Sequence, residues 1–358
     1  MTRLQHLAST LSRIYPWTSH PLIVSAPMRV MSGPALAVAV SRAGGLGFLN
    51  NSIQNVAADL EQASSLIKES QHISSSSSTT TTFKPDISHL PIGVGFLLWA
   101  DDLDTAITTI QKYKPCAVWL YAPPADQPNL LDTWSRGIRT ASPGTQIWIQ
   151  IGTLSEARRL LTSSEKPDVI VVQGAEAGGH GRAKDGMGLI SLFPEVADAM
   201  AGSDIPLFAA GGIADGRGAA AALCLGASGV VMGTRFLAAT EARIAPGYQK
   251  EVVRAEDGAV GTTRTLLYNH LKGVYGWPAE YSPRTVINRS FVEHQAGVGF
   301  EELKRLHDEV AKEGDKGWGP EGRMATYAGA SVGLIHEVKD AETIVKEVRE
   351  QVLERLGQ

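Results

Sequence analysis

With 358 residues and 43 % apolar content, the chain can build one large α/β domain or two ordinary ones with a full core. Thirty-seven glycines beside only 6 % aromatics favour an α/β fold over a β-sandwich. A net charge of −4 leaves no electrostatic footprint for nucleic acid or an anionic membrane, and no apolar run nears the roughly 18–20 residues that span a bilayer.

Residues 1–29 contain no acidic side chain, and Arg3 and Arg13 flank Leu4, Leu7, Leu11 and Ile14 at helical spacing. This faintly resembles a transit peptide, but the first core strand begins so soon afterwards that a short amphipathic helix packed on the domain is the expectation, with the soluble cytoplasm as its location. Strands are expected at 22–26, 45–49, 91–97, 117–121, 146–151, 169–173, 206–210 and 229–232. Helices fit between them, among them one entered through Ser32-Gly33-Pro34 and others at 155–161, 194–201 and 216–225. Cys116 and Cys224 lie in apolar stretches, as buried free thiols do, and no metal site is expected.

Eight short apolar strands alternating with helices over about 210 residues match a (β/α)₈ TIM barrel in size and rhythm. An open doubly wound sheet is the alternative, although Ala26-Pro27-Met28 follows the first strand where such a fold would carry Gly-x-Gly-x-x-Gly. Two segments break the rhythm. The Ser/Thr tract at 74–82 is too polar and uniform to pack and is expected to be a disordered loop. Residues 241–319 are richer in charge and aromatics and include His270, Tyr275 and Trp277. They are expected to form a mainly helical insertion that lies over the barrel mouth as a lid, the barrel itself taking 1–240 and 320–358.

The chemistry concentrates at strand ends. The run Val169–Val172 ends in Gln173, after which Gly174-Ala175-Glu176-Ala177-Gly178-Gly179-His180-Gly181 delivers one histidine from a glycine-rich loop. Small residues there let backbone approach a flat ligand, and His180 can move protons near neutral pH. A histidine on a surface turn is the alternative. The seventh and eighth strands end in Gly211-Gly212 and Gly233-Thr234, the consecutive positions where such barrels commonly bind phosphate through backbone N–H groups. Arg235 could add charge or pair with a carboxylate. A phosphate there, spread toward strand six, fits the dimensions of flavin mononucleotide (FMN). Its ring would lie over Ala26, Pro27 and Met28, with Gln150 and Gln173 at its polar edge. For each glutamine an ordinary rim hydrogen bond is the alternative.

At these residues the chain resembles the nitronate monooxygenase family, formerly 2-nitropropane dioxygenases. Segments 21–28, 43–48, 173–181, 210–217 and 232–236 are similar to the family's opening strand, following turn, histidine segment and phosphate loops. Trp99 after Gly93-Val94-Gly95-Phe96, together with the Ser/Thr tract, resembles the fungal branch. The resemblance implies a barrel carrying non-covalent FMN, held by Ala26, Pro27, Met28, Gln150, Gln173, Gly178, Gly179, Gly211, Gly212, Gly233 and Thr234. His180 stands at the place of the catalytic base. It further implies oxidation of alkyl nitronates, such as propionate 3-nitronate, with O₂ to a carbonyl compound and nitrite, the histidine deprotonating neutral nitroalkanes where these are used. The oligomeric state is left open, a homodimer being one assembly the sequence allows. Gly95 and Gln150 depart from the asparagine and lysine common in bacterial members. The alternative activity is an NAD(P)H-dependent flavin reductase of quinone or enoyl type on the same barrel.

Overall fold

The computed structural model describes residues 3–74 and 88–357. Eight parallel strands close into a barrel: β1 (Leu22–Ser25), β2 (Leu46–Leu49), β3 (Leu90–Leu97), β4 (Pro115–Tyr121), β5 (Gln146–Ile151) and β6 (Val169–Gln173) come first. After a short strand outside the barrel, β7 (Gly179–Arg182), the circuit is completed by β8 (Leu207–Ala210) and β9 (Gly229–Met232), which pairs back onto β1. The expected strands thus form, each within a residue or two of its expected limits. Of the Ser/Thr tract, Ser74 ends the helix Val56–Ser74 and the remainder lies outside the described residues.

Period-two alternation sorts each strand into two layers. One set, including Ile23, Val94, Val118, Ile149 and Ile170, packs outward against the helices. The other set, including Val24, Phe48, Trp119, Trp148, Val171 and Phe208, fills the barrel interior. Trp119 and Trp148 stack with ring centroids 5.9 Å apart, and Phe48 and Phe208 pack against Trp148 at 5.2 and 4.7 Å. Such large rings fit only because two strands present glycine. A Cβ on Gly93 would sit 2.2 Å from the Phe48 ring, and one on Gly229 2.4 Å from the Phe208 ring. The N-terminal helix Arg3–Ile14 closes the lower end, burying Leu7 and Leu11, and the following Tyr15 hydroxyl accepts a 2.9 Å hydrogen bond from Trp148 Nε1. With the floor filled, the next inward positions, Tyr121, Gln150 and Gln173, stand at the carboxyl ends of β4, β5 and β6.

Three expectations need correction, and the mainly helical stretch 241–319 gains two short strands. The glycine-rich segment is not wholly loop: β7 pairs antiparallel with β11 (Tyr281–Val286), which in turn pairs with β10 (Thr262–Arg264). The stretch 241–319 therefore carries two strands as well as helices such as Pro246–Arg254, Leu267–Leu271 and Phe300–Val310. The helix expected at 194–201 instead spans Leu189–Ala199 with Pro194 inside it. The Glu176 carboxylate, accepting from the Leu189 amide at 2.9 and 3.0 Å, starts that helix earlier than the proline would. Cys224 is exposed at the end of the helix Gly216–Cys224, whereas Cys116 is buried as expected. The last helix, Ala341–Arg355, packs on Gly216–Cys224 and Pro34–Arg42, and Gln351 Oε1 accepts from the Gly216 amide at 2.9 Å. Among the described residues, no helix is long and apolar enough to cross a membrane.

Because Gly93 makes room for Phe48, Gly93→Ala is expected to destabilise the fold by about 1–3 kcal/mol, the usual cost of overpacking. A lowered urea midpoint with an unchanged slope is the expected reading.

Candidate active site

His180 is presented by strand pairing, opposite Pro283 of β11. Its carbonyl accepts from the Tyr121 hydroxyl at 2.8 Å and from Gln173 Nε2 at 3.4 Å, so two of the inward-facing strand ends fix its backbone. The imidazole lies flat on Trp277, with centroids 3.5 Å apart and planes 5° from parallel, and its Nε2 is 2.8 Å from Asn269 Nδ2. Trp277 is itself packed against Trp99 at 5.0 Å. Burial, followed by the nearby charges of Lys272 and Arg264, pushes the His180 pKa down to about 3. The ring is uncharged at neutral pH.

The segment before His180 is tied to β10 and β11 by two arginines. Arg264 donates from Nη1 to the carbonyls of Gly179 (3.1 Å) and Ser282 (2.6 Å), and from Nη2 to those of Ala175 (3.1 Å) and Ala177 (2.9 Å). Arg284, its cross-strand neighbour, donates to Ala175 O at 3.1 and 3.3 Å. Burial and the charge of Arg284 bring the Arg264 pKa down to about 10, which leaves it cationic at neutral pH. Arginine's fork suits this work, since its donors reach several carbonyls at once.

A second set of groups forms a glycine-lined cradle. Gly211 and Gly212 have φ of +97° and +73°, which a side chain would strain. A Cβ on Gly178 would lie 2.4 Å from the Gly329 nitrogen, and the Gly329 amide donates to Thr234 Oγ1 at 3.0 Å. These contacts bring Gly178, Thr234 and Gly329 together. No hydrogen bond among the described residues uses the amide N–H of Gly212, Gly233 or Thr234. Those donors are free to meet an anion, and so the cradle fits a phosphate group. Ala26 and Met28 adjoin it, since a Cβ on Gly233 would contact Met28 Sδ at 3.7 Å and the Ala26 Cβ at 3.8 Å. Pro27 stands beside Gly95: a Cβ there would be 2.5 Å from Pro27 Cβ and 2.9 Å from Asn50 Nδ2, so a larger residue is excluded while those two stay in place. Asn50 is buried and its Oδ1 has no hydrogen-bond partner.

Other expected residues lie differently. Gln150 turns its Oε1 to Trp119 Nε1 at 3.1 Å and borders a cavity of about 600 Å³ that also touches Arg182 and Tyr281. Gly179, at φ +65°, starts β7, where its carbonyl meets Arg264. Arg235 points away from the cradle and donates to Glu337 O at 3.0 Å. His270 and Tyr275 stack on one another, 5.1 Å between centroids, apart from His180, while Trp277 covers it. Sequence reasoning did not single out Tyr121, Arg264, Asn269, Arg284 or Tyr327. Tyr121 alone had a local signal, being inward-facing by alternation at a strand end.

A nitronate monooxygenase family model matches residues 11–350. A nitronate monooxygenase of Metarhizium robertsii is 58 % identical, the match covering 95 % of this chain and 93 % of that one. One of Neurospora crassa is 35 % identical over 98 % and 94 %. Among solved structures, a nitroalkane oxidase from Streptomyces ansochromogenes superposes with a TM-score of 0.71 at 24 % identity, covering 97 % and 99 %, a likeness of fold.

Two outcomes are expected from this geometry. Replacing Arg264 with methionine strands the carbonyl of Ala177 and takes a donor from those of Gly179 and Ala175, the last still held by Arg284, and is expected to cost about 1–3 kcal/mol in chemical unfolding, with faster amide exchange across 174–182. The second concerns pH. His180 is held neutral in the folded chain down to about pH 3, whereas the unfolded residue titrates near 6.5. Between those values the unfolded chain binds more protons, so stability is intact above pH 6.5 and is lost as pH falls through the window. His180→Asn is expected to flatten that part of the stability profile, by up to about 1.4 kcal/mol per pH unit.

Proposed function

Because the chain belongs to the nitronate monooxygenase family, we propose that it oxidises small alkyl nitronates, propionate 3-nitronate among them, with O₂ to a carbonyl compound and nitrite, using non-covalent FMN. The observation that carries this reading is an uncharged, half-buried His180 together with a glycine cradle in which the amide N–H groups of Gly212, Gly233 and Thr234 are unused. Unused amides of Gly212, Gly233 and Thr234 would hold the FMN phosphate, in a cradle shaped by the close packing that Gly178 and Gly211 permit, while Gly179 carries the backbone on into β7. Ala26, Pro27 and Met28 would support its ring, and Gln150 and Gln173 its polar edge. The unpaired Oδ1 of Asn50 beside Pro27 is a further buried acceptor that suits a flavin imide. When bound, the flavin supplies the electron acceptance and oxygen chemistry that no side chain here can.

The chain's own residues then bind and orient. Trp277 covers one face of the imidazole and is itself backed by Trp99. Lys272, Arg264 and Arg284 make the surroundings positive, which favours an anionic nitronate over its neutral nitroalkane. For a neutral nitroalkane, His180 would act as the base that takes the proton α to the nitro group, since an uncharged imidazole keeps a lone pair.

The purified protein is expected to be yellow with releasable FMN, and propionate 3-nitronate is expected to bleach it rapidly in anaerobic stopped flow. Bleaching by NADPH with none by the nitronate would overturn the reading in favour of a reductase. His180→Ala keeping full activity would remove the histidine from it.

A further inference from the structure

His180 lies at the end of a hydrogen-bonded chain whose direction can be read from the donors alone. Lys272 Nζ is 3.2 Å from the Tyr327 hydroxyl, and an ammonium can only donate, so the Tyr327 oxygen accepts there. The single phenolic proton is then free for Asn269 Oδ1, 3.1 Å away. The structure sets Asn269 Oδ1 on that hydroxyl, and Nδ2, a donor, faces His180 Nε2 at 2.8 Å. An uncharged imidazole met by a donor must offer a lone pair at that nitrogen, so its proton sits on Nδ1. No residue among those described accepts from Nδ1.

We infer that Lys272, Tyr327 and Asn269 form a positioning relay that locks His180 as the Nδ1–H tautomer, its Nε2 lone pair held by Asn269 and its N–H left for a ligand oxygen. The groups facing the imidazole from every side agree with this. Trp277 covers the ring, and Tyr121 and Gln173 both donate to its backbone carbonyl, away from the imidazole nitrogens. The charged neighbours Lys272 and Arg264 both disfavour a second ring proton. Asn269, Lys272 and Tyr327 all come from chain far from β7: Asn269 lies in the helix Leu267–Leu271, Lys272 follows it, and Tyr327 lies beyond the helix Phe300–Val310. In this state His180 donates to an anionic oxygen, and it can become a base only when the Asn269 amide lets go of Nε2. The relay is thus a specificity device between nitronate and nitroalkane, a consequence that rests on the function proposed above; the tautomer itself does not.

The test is imidazole ¹⁵N NMR of the intact protein, with the His180 resonances assigned by difference against His180→Gln. At pH 7 the wild type is expected to show a neutral ring with a protonated Nδ1 and an unprotonated Nε2. A protonated Nε2, or a doubly protonated ring, overturns the proposal whether or not the enzyme turns over nitronates. Tyr327→Phe, which keeps the ring but removes the proton that orients Asn269, is expected to give mixed tautomers, as is Asn269→Ala; a single unchanged tautomer in both overturns the relay. Where nitronate turnover is present, Asn269→Ala is expected to raise the ratio of nitroalkane to nitronate kcat/KM about tenfold, the scale of one orienting hydrogen bond, and an unchanged ratio overturns the specificity role. Failure of nitronate turnover with the expected spectra would instead strike the proposed function alone.

Discussion

The site depends on the attachment of residues 174–182 to β10 and β11. A run so rich in glycine and alanine has much conformational entropy to lose and few side chains with which to anchor itself. The barrel fixes its start through β6, but not the carbonyls of Ala175, Ala177 and Gly179. Those are gathered by Arg264 and Arg284, and pairing of β7 with β11 sets the register that turns His180 toward Asn269 and Trp277. The segment beyond the eighth barrel strand is therefore part of the site's framework, since it supplies the strand partner, the two guanidinium clamps and the aromatic cover. A loop of this composition without them would leave buried carbonyls unpaired, at roughly 1–3 kcal/mol each.

The same attachment determines the electrostatics. The arginines are present to satisfy carbonyls, yet the charge of Arg264 also bears on His180, and together with burial and Lys272 it holds the imidazole neutral. Positive surroundings around a neutral ring favour an anion without creating a competing cation at the histidine itself. The cationic charge arrives from the strands outside the barrel, and Gln150 is free to accept from Trp119.

How much of this was legible follows from the range of each interaction. The eight barrel strands could be read because each is a short apolar run bounded by turn residues, and counting them put His180 just past the sixth and the glycine pairs past the last two. Alternation within β4 and β5 would have placed Tyr121 beside Gln150. Pairing of β7 with β11 left no such trace, since it joins residues about a hundred positions apart and the four residues of β7 carry no periodicity. Arg264, Asn269 and Arg284 read locally as ordinary polar residues of a charged segment. Pro194 misled for a different reason: proline favours a first helical turn, but the Glu176 carboxylate, contributed from the loop after β6, capped the helix five residues earlier. Cys224 sits among alanines and leucines, yet helical phase turns it outward.

The stacked tryptophans divide the barrel into a structural and a functional half. Trp148 directs its indole N–H toward Tyr15 under the barrel, whereas Trp119 directs its own toward Gln150 at the mouth. Below this pair the interior is filled by rings that fit only against Gly93 and Gly229, so no ligand can enter that layer. Above it the inward positions become polar, in Gln150, Gln173 and Tyr121, and two of these three fix the His180 backbone. A flat cofactor resting at the mouth would meet a rigid aromatic floor and a histidine held from both the barrel and the added strands. The depth at which it can sit is then set by residue volume, since the rings packed against Gly93 and Gly229 leave no deeper space.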